Sequence, residues 1–69
     1  MPKVRDAIRL VEAEGWYWVR TRGSHRQYGH AWRPGKVTIA GKPSDSVPPG
    51  TWKSILRQAG IEKSEWEKL

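Results

Sequence analysis

Two side chains in this 69-residue sequence exchange protons near neutral pH at their ordinary pKa, His25 and His30, so proton-transfer chemistry has to run through one of them. Their separation of five residues is odd. In one regular strand it sets the rings on opposite faces, where they cannot grip a metal or a substrate together without a bulge. The chain has no Cys, no H-E-x-x-H and no Asp/Glu pair beside either histidine. Thiolate metal sites, metallohydrolase centres and Ser/His/Asp triads therefore have no support, and neither a metal nor a small-molecule cofactor is expected.

A lone histidine can still do chemistry on one substrate class. His25 follows Arg22-Gly23-Ser24 and precedes Arg26. In RNA the neighbouring 2′-OH is an internal nucleophile, so one positioned base, with guanidiniums on the phosphorane, would cleave the backbone without metal. DNA lacks that hydroxyl and would survive. Gly23 suits a turn, and Ser24 is placed to hydrogen-bond His25 or a phosphate. The competing reading of His25 is a surface or hydrogen-bonding residue, and for His30 that structural reading is the expected one.

The charge pattern points the same way. Of a formal net charge of +6, residues 15–44 carry six cations, Arg20, Arg22, Arg26, Arg33, Lys36 and Lys42, and no carboxylate. The remaining residues hold seven basic and seven acidic side chains, so the whole excess belongs to this central segment. Charging for solubility would not segregate in this way. Interleaved with Trp16, Tyr17, Trp18, Tyr28 and Trp32, the cations suit a phosphate backbone with stackable bases, and Arg22, Arg26, Lys36 and Lys42 are the candidate RNA-binding residues. Acidic protein and membrane surfaces also attract cations, so a non-catalytic RNA-binding module and a protein-binding domain stand beside the nuclease reading.

The elements that must position these residues are short. The length limits the chain to one small domain over residues 1–69 and excludes a multi-domain enzyme. Val4, Ala7, Ile8 and Val11 share one face of a first helix that Gly15 stops. Residues 16–21 read as a strand, Arg22-Gly23-Ser24 as a turn, residues 25–32 as a second strand, and residues 36–40, after the break Arg33-Pro34-Gly35, as a third. Residues 41–50, with three Pro, read as a connection without regular structure. Trp52, Ile55, Leu56 and Ala59 repeat the helical spacing, with Gly50-Thr51 as the cap and Gly60 as the stop. Ser64 and Glu67 have capping-box spacing for a terminal turn from which Trp66 would dock back.

This order predicts an α+β fold with two helices on one face of a three-stranded antiparallel sheet and the other face open. Trp16 and Trp18 share one face of the first strand and Tyr17 and Val19 the other, so one pair packs beneath the helices. Alternation alone does not say which pair faces a ligand. Tyr28, three residues after His25, falls on the opposite face and is expected to pack. No apolar run approaches the roughly 18 residues of a membrane span, and Met1-Pro2-Lys3-Val4-Arg5-Asp6 lacks the apolar stretch of a signal peptide, so a cytoplasmic protein without membrane attachment is expected.

The segment from Gly15 through Tyr28, then Val37-Thr38-Ile39, then Pro49-Gly50-Thr51-Trp52-Lys53-Ser54-Ile55-Leu56-Arg57-Gln58-Ala59-Gly60 resembles the HicA family of bacterial toxins over nearly the whole chain. The resemblance implies a double-stranded-RNA-binding-like fold, mRNA interferase activity, and a catalytic histidine after a Gly-Ser or similar pair, which maps to His25. It also implies two partners, mRNA as substrate and a HicB-type antitoxin that covers the active histidine, with growth arrest following from lost translation. The helix motif G-T-x-x-S-I-L-x-Q-A-G matches. One position departs: many relatives carry a second histidine just after the third strand, where this chain has Gly41-Lys42-Pro43, and Lys42 keeps the charge without proton exchange at neutral pH.

Overall fold

The computed structural model describes residues 1–61; the expected terminal turn at Ser64 and Glu67, with Trp66, lies outside the described residues. The element order is α1 (Val4–Ala13), β1 (Tyr17–Arg22), β2 (His25–Gly29), β3 (Val37–Ala40) and α2 (Pro49–Ala59). The strands form an antiparallel meander in the order β1-β2-β3. Both helices pack on one face of it, over β3, which is the α+β, double-stranded-RNA-binding-like arrangement expected from the sequence. Val4, Ala7 and Val11 of α1 and Trp52, Ile55, Leu56 and Ala59 of α2 close on Tyr28, Val37 and Ile39 from the sheet, with Trp16, Val47 and Ile61 completing the core. Each fully buried Val, Ile or Leu side chain of this set contributes about 1.5–3 kcal/mol. β1 lies beyond the helices, and all six of its residues are exposed.

Relative to the sequence reading, β1 runs on to Arg22 and β3 starts at Val37 rather than at residue 36, and three further boundaries differ for a local reason. α2 starts at Pro49 rather than after Gly50-Thr51, and Pro48 precedes it in extended conformation without a side-chain cap. A proline in the first turn has no N–H to leave unsatisfied and a φ already set for the helix. β1 starts at Tyr17 because Trp16 turns inward, where its indole N–H donates to the Ala59 carbonyl at 3.0 Å. β2 stops at Gly29 instead of running on to residue 32. His30 leaves the ladder so that its Nδ1 accepts the amides of Trp32 and Arg33, both at 3.3 Å, which fixes Nε2 as the donor to the Glu14 carbonyl at 2.9 Å. The imidazole meets Trp16 and Trp32 edge-on, with centroids 5.1 and 4.7 Å away.

The connection after β3 is irregular, as expected, but it closes the start of α1. The amides of Val4 and Arg5 donate to the carbonyls of Asp45 (2.8 Å) and Pro43 (3.1 Å), and the Asp6 carboxylate accepts the Lys3 amide at 2.7 Å. The other end of the domain is closed by Arg33, whose guanidinium donates to the carbonyls of Ala59 (2.7 Å) and Gly60 (3.3 Å) and pairs with Glu14 at 3.8 Å. These contacts satisfy orphan carbonyls of α2 where the helix ends in left-handed Gly60.

Two measurements check this account. His30→Ala removes an acceptor shared by two amides and the donor to Glu14, so it is expected to lower stability by about 2–3 kcal/mol, read as a drop in Tm of roughly 4–8 °C for each kcal/mol. Burial, with Glu12 adding to it, pushes the Tyr28 phenol above its ordinary value near 10, against an opposing pull from Arg26. The folded state then holds that proton more tightly than the unfolded chain, so its contribution to stability is complete below pH 10 and is lost as pH rises through the folded value. Thermal unfolding followed above pH 10 is expected to show a steeper fall for the wild type than for Tyr28→Phe.

Candidate functional site

His25 opens β2 directly after a two-residue loop. Arg22 and His25 are the closing pair, and Gly23 and Ser24 are the loop. Gly23 has φ +62° while Ser24 has a negative φ, the pattern of a type II′ hairpin, whose backbone twist matches that of the flanking strands. The Ser24 carbonyl accepts the Gly41 amide at 3.0 Å and ties the turn to the end of β3. Across the sheet His25 faces Arg22 on one side and Ala40 on the other. Its ring therefore lies on the face opposite the helices, exposed, with a guanidinium on one flank and only a methyl group on the other.

The register decides what shares that face. Tyr28 and Arg26 point toward the helices, so their β1 partners Trp18 and Thr21 do as well, and Trp18 donates its indole N–H to the Thr21 hydroxyl at 2.8 Å. Gln27 and Gly29 point with His25, and so do their partners Arg20 and Tyr17. Between Trp18 and Arg20 the register shifts by one residue, a β-bulge that leaves Val19 without a partner. Val19 packs on the open face, its Cγ2 3.2 Å from where a Cβ on Gly29 would stand. The open face of β1 and β2 thus carries Tyr17, Val19, Arg20, Arg22, His25, Gln27 and Gly29. The strands contain no carboxylate. Asp45 approaches the hairpin end from the following loop, with its Oδ2 accepting the Lys42 amide at 2.9 Å.

The sequence candidates divide into three places. Arg22 stands beside His25. Arg26 lies on the opposite face, half-buried, with its guanidinium donating to the Gly41 carbonyl. It shares with Lys42 a recess of about 300 Å³ on the helix side of the hairpin, lined also by Thr21, Gly23, Ser24, Gly41 and Pro43. Lys36 is exposed at the other end of β3, four residues from the Ala40 that faces His25. His25 and His30 are not brought together, and among the described residues no group of three His, Asp or Glu side chains could hold a metal ion. Arg20 was counted in the basic segment but not singled out. Its guanidinium Nε donates to Gln27 Oε1 at 2.9 Å on the His25 face, and the alternation of Arg20 with Arg22 ahead of a two-residue turn was the available signal.

Residues 4–61 match the family described as HicA toxin of bacterial toxin–antitoxin, and this match covers most of the chain. The chain belongs to the HicA toxin family. Comparison with curated proteins finds no match. As a HicA-family toxin it is one half of a toxin–antitoxin system, which implies an antitoxin partner. No helix among the described residues is long and apolar enough to cross a membrane.

In this HicA-family chain the helix motif ending Q-A-G has a structural reason. Gln58 Oε1 accepts the Thr38 amide on the free edge of β3 at 3.0 Å, and Gln58 Nε2 donates to the Ser54 hydroxyl one turn back at 3.2 Å. Ala59 presents the carbonyl that Trp16 and Arg33 share. The motif therefore holds the helix to the sheet, while the Gly-Ser-His segment shapes the exposed end. Since space around Gly23 is open, Gly23→Ala is opposed by its left-handed φ alone. A loss of about 1–2 kcal/mol is expected, measurable as a lower urea midpoint with unchanged slope.

Proposed function

We propose that this HicA-family toxin is an endoribonuclease that cleaves mRNA, with His25 as the proton-transferring group and no metal required. The observation that carries the reading is the exposed His25 directly across the hairpin from Arg22, on a sheet face whose strands contain no carboxylate. A phosphodiester approaching that face meets positive charge, and the nucleophile comes from the RNA itself. His25 accepts the proton of the 2′-OH as O2′ bonds to phosphorus. Arg22 stabilises the negative charge gathering on the phosphorane oxygens, and the P–O5′ bond breaks as O5′ takes a proton from water, the proton held by His25 returning to solvent. The products are a 2′,3′-cyclic phosphate and a 5′-hydroxyl.

The remaining candidates have supporting roles in this reading. Gly23 and Ser24 hold the turn that presents His25. Arg26 and Lys42 in the recess, and Lys36 at the far end of β3, attract flanking phosphates. Lys42, two residues beyond the Ala40 that faces His25, adds positive charge at the hairpin end of β3. The antitoxin would silence the toxin by covering His25, and the cytoplasm is where the substrate and this partner meet.

Incubating a defined single-stranded RNA with the purified toxin in excess EDTA tests the proposal. The wild type is expected to cleave it and to leave DNA of the same sequence intact. Folded His25→Ala should be slower by about 10²–10⁴-fold. If both proteins bind the RNA and neither cuts it, the chain is a non-catalytic RNA-binding module instead.

A further inference from the structure

We infer that Tyr17 is a base-stacking platform at the end of the open sheet face remote from His25, and that the ligand it reads is single-stranded RNA. The inference rests on the proposed RNA-directed function and assigns to it a second contact that no basic residue supplies. Tyr17 faces Gly29 across the β1–β2 ladder, and its ring lies against the open side of that glycine. A Cβ on Gly29 would stand 3.5 Å from the Tyr17 hydroxyl and 3.6 Å from its ring. Val19 walls the same spot, and both residues remain about half exposed, Tyr17 at 53% and Val19 at 52%. The result is an aromatic surface held in place by its neighbours and still open to solvent, beneath neither helix.

What covers such a surface is decided by its surroundings. Between Tyr17 and His25 the face carries Arg20, oriented by Gln27, and Arg22, and its strands contribute no acid. A polyanion with apolar, stackable faces matches this pattern of one aromatic platform, a line of cations and a proton acceptor. Gly29 lies four residues from His25, about 13 Å along the strand, a distance that a short single-stranded stretch crosses. In a duplex the bases are stacked on one another and closed to the ring, so the platform selects unpaired RNA.

Binding of a short, labelled, mixed-sequence RNA, followed by fluorescence anisotropy in a His25→Ala background, separates this inference from the cleavage reading. Adding Tyr17→Ala is expected to weaken binding by about tenfold or more, without changing the slope of log K against log salt, because no phosphate contact is lost. Tyr17→Phe should bind as before, and Gly29→Val, which fills the space under the ring, should weaken binding in the same manner as Tyr17→Ala. Arg20→Ala should instead lower the salt slope by about one phosphate contact. An oligomer whose nucleotides lack bases should erase the difference between Tyr17 and Tyr17→Ala, and the same RNA annealed to its complement should bind more weakly.

Equal RNA affinity for Tyr17 and folded Tyr17→Ala, or undiminished affinity for the duplex, overturns the inference. So does a Tyr17→Ala protein that keeps its RNA affinity and loses only its antitoxin, which would make the patch a protein interface. Should Tyr17→Ala fail to fold by circular dichroism, Tyr17→Leu, which keeps apolar bulk and removes the π face, decides between the same outcomes. A wild type that binds RNA through Tyr17 yet leaves it intact sinks the nuclease reading alone.

Discussion

β1 has one residue more than its partner between Trp18 and Arg20, and the period of two along a strand turns that single residue into an exchange of faces. Counting back from the Arg22 and His25 pair in a regular ladder, Arg20, Trp18 and Trp16 would share the open face with His25. With Val19 bulged, Trp18 moves to the helix side, Tyr17 and Val19 come to the open side, and Trp16 is carried into the core to reach the Ala59 carbonyl. The bulge thus places one tryptophan where it secures α2 and leaves the other at the rim. It also furnishes the His25 face with a tyrosine and a valine. The tight turn at Gly23-Ser24 sets the opposite end of the same face.

The basic segment sorts by task once it is folded. Arg33 is tied to the C-terminal carbonyls of α2 and to Glu14, and Arg26 donates to Gly41, so neither guanidinium is fully available to a ligand. Arg20 and Arg22 remain on the open face, and Lys36 and Lys42 stand at the two ends of β3. A net charge of +6 therefore resolves into two guanidiniums that share the open face with His25, Arg20 and Arg22, and two lysines set apart at the ends of β3. The histidines divide in the same way, because His30 has both ring nitrogens engaged in holding the turn after β2, while His25 is exposed.

Most of the architecture was legible in the sequence. Helical spacing of Val4, Ala7 and Val11, and of Trp52, Ile55, Leu56 and Ala59, reports burial directly because a helix repeats its environment every few residues. Gly23-Ser24 before His25 marked the hairpin, and the odd spacing from His25 to Tyr28 placed the phenol under the helices, where it is found. The ends of elements were harder to read. Pro49, Trp16 and His30 each move a boundary through a contact with a residue far along the chain or through backbone geometry that overrides a propensity. Val47 and Ile61 join the core from irregular segments, where no periodicity announces them.

The amino-acid order alone determined a small α+β domain with a basic, acid-free middle, a histidine directly after a Gly-Ser turn, and the motifs of the HicA family. Local spacing and composition suffice for these because each depends on neighbours within a few residues. Only the tertiary structure decided that Tyr17 and Val19, rather than Trp16 and Trp18, share a face with His25, and that Arg26 and Arg33 are engaged by backbone carbonyls. Those outcomes depend on strand register and on helix ends meeting side chains more than a dozen residues away, and a one-residue bulge that reverses them leaves no mark in an alternating pattern.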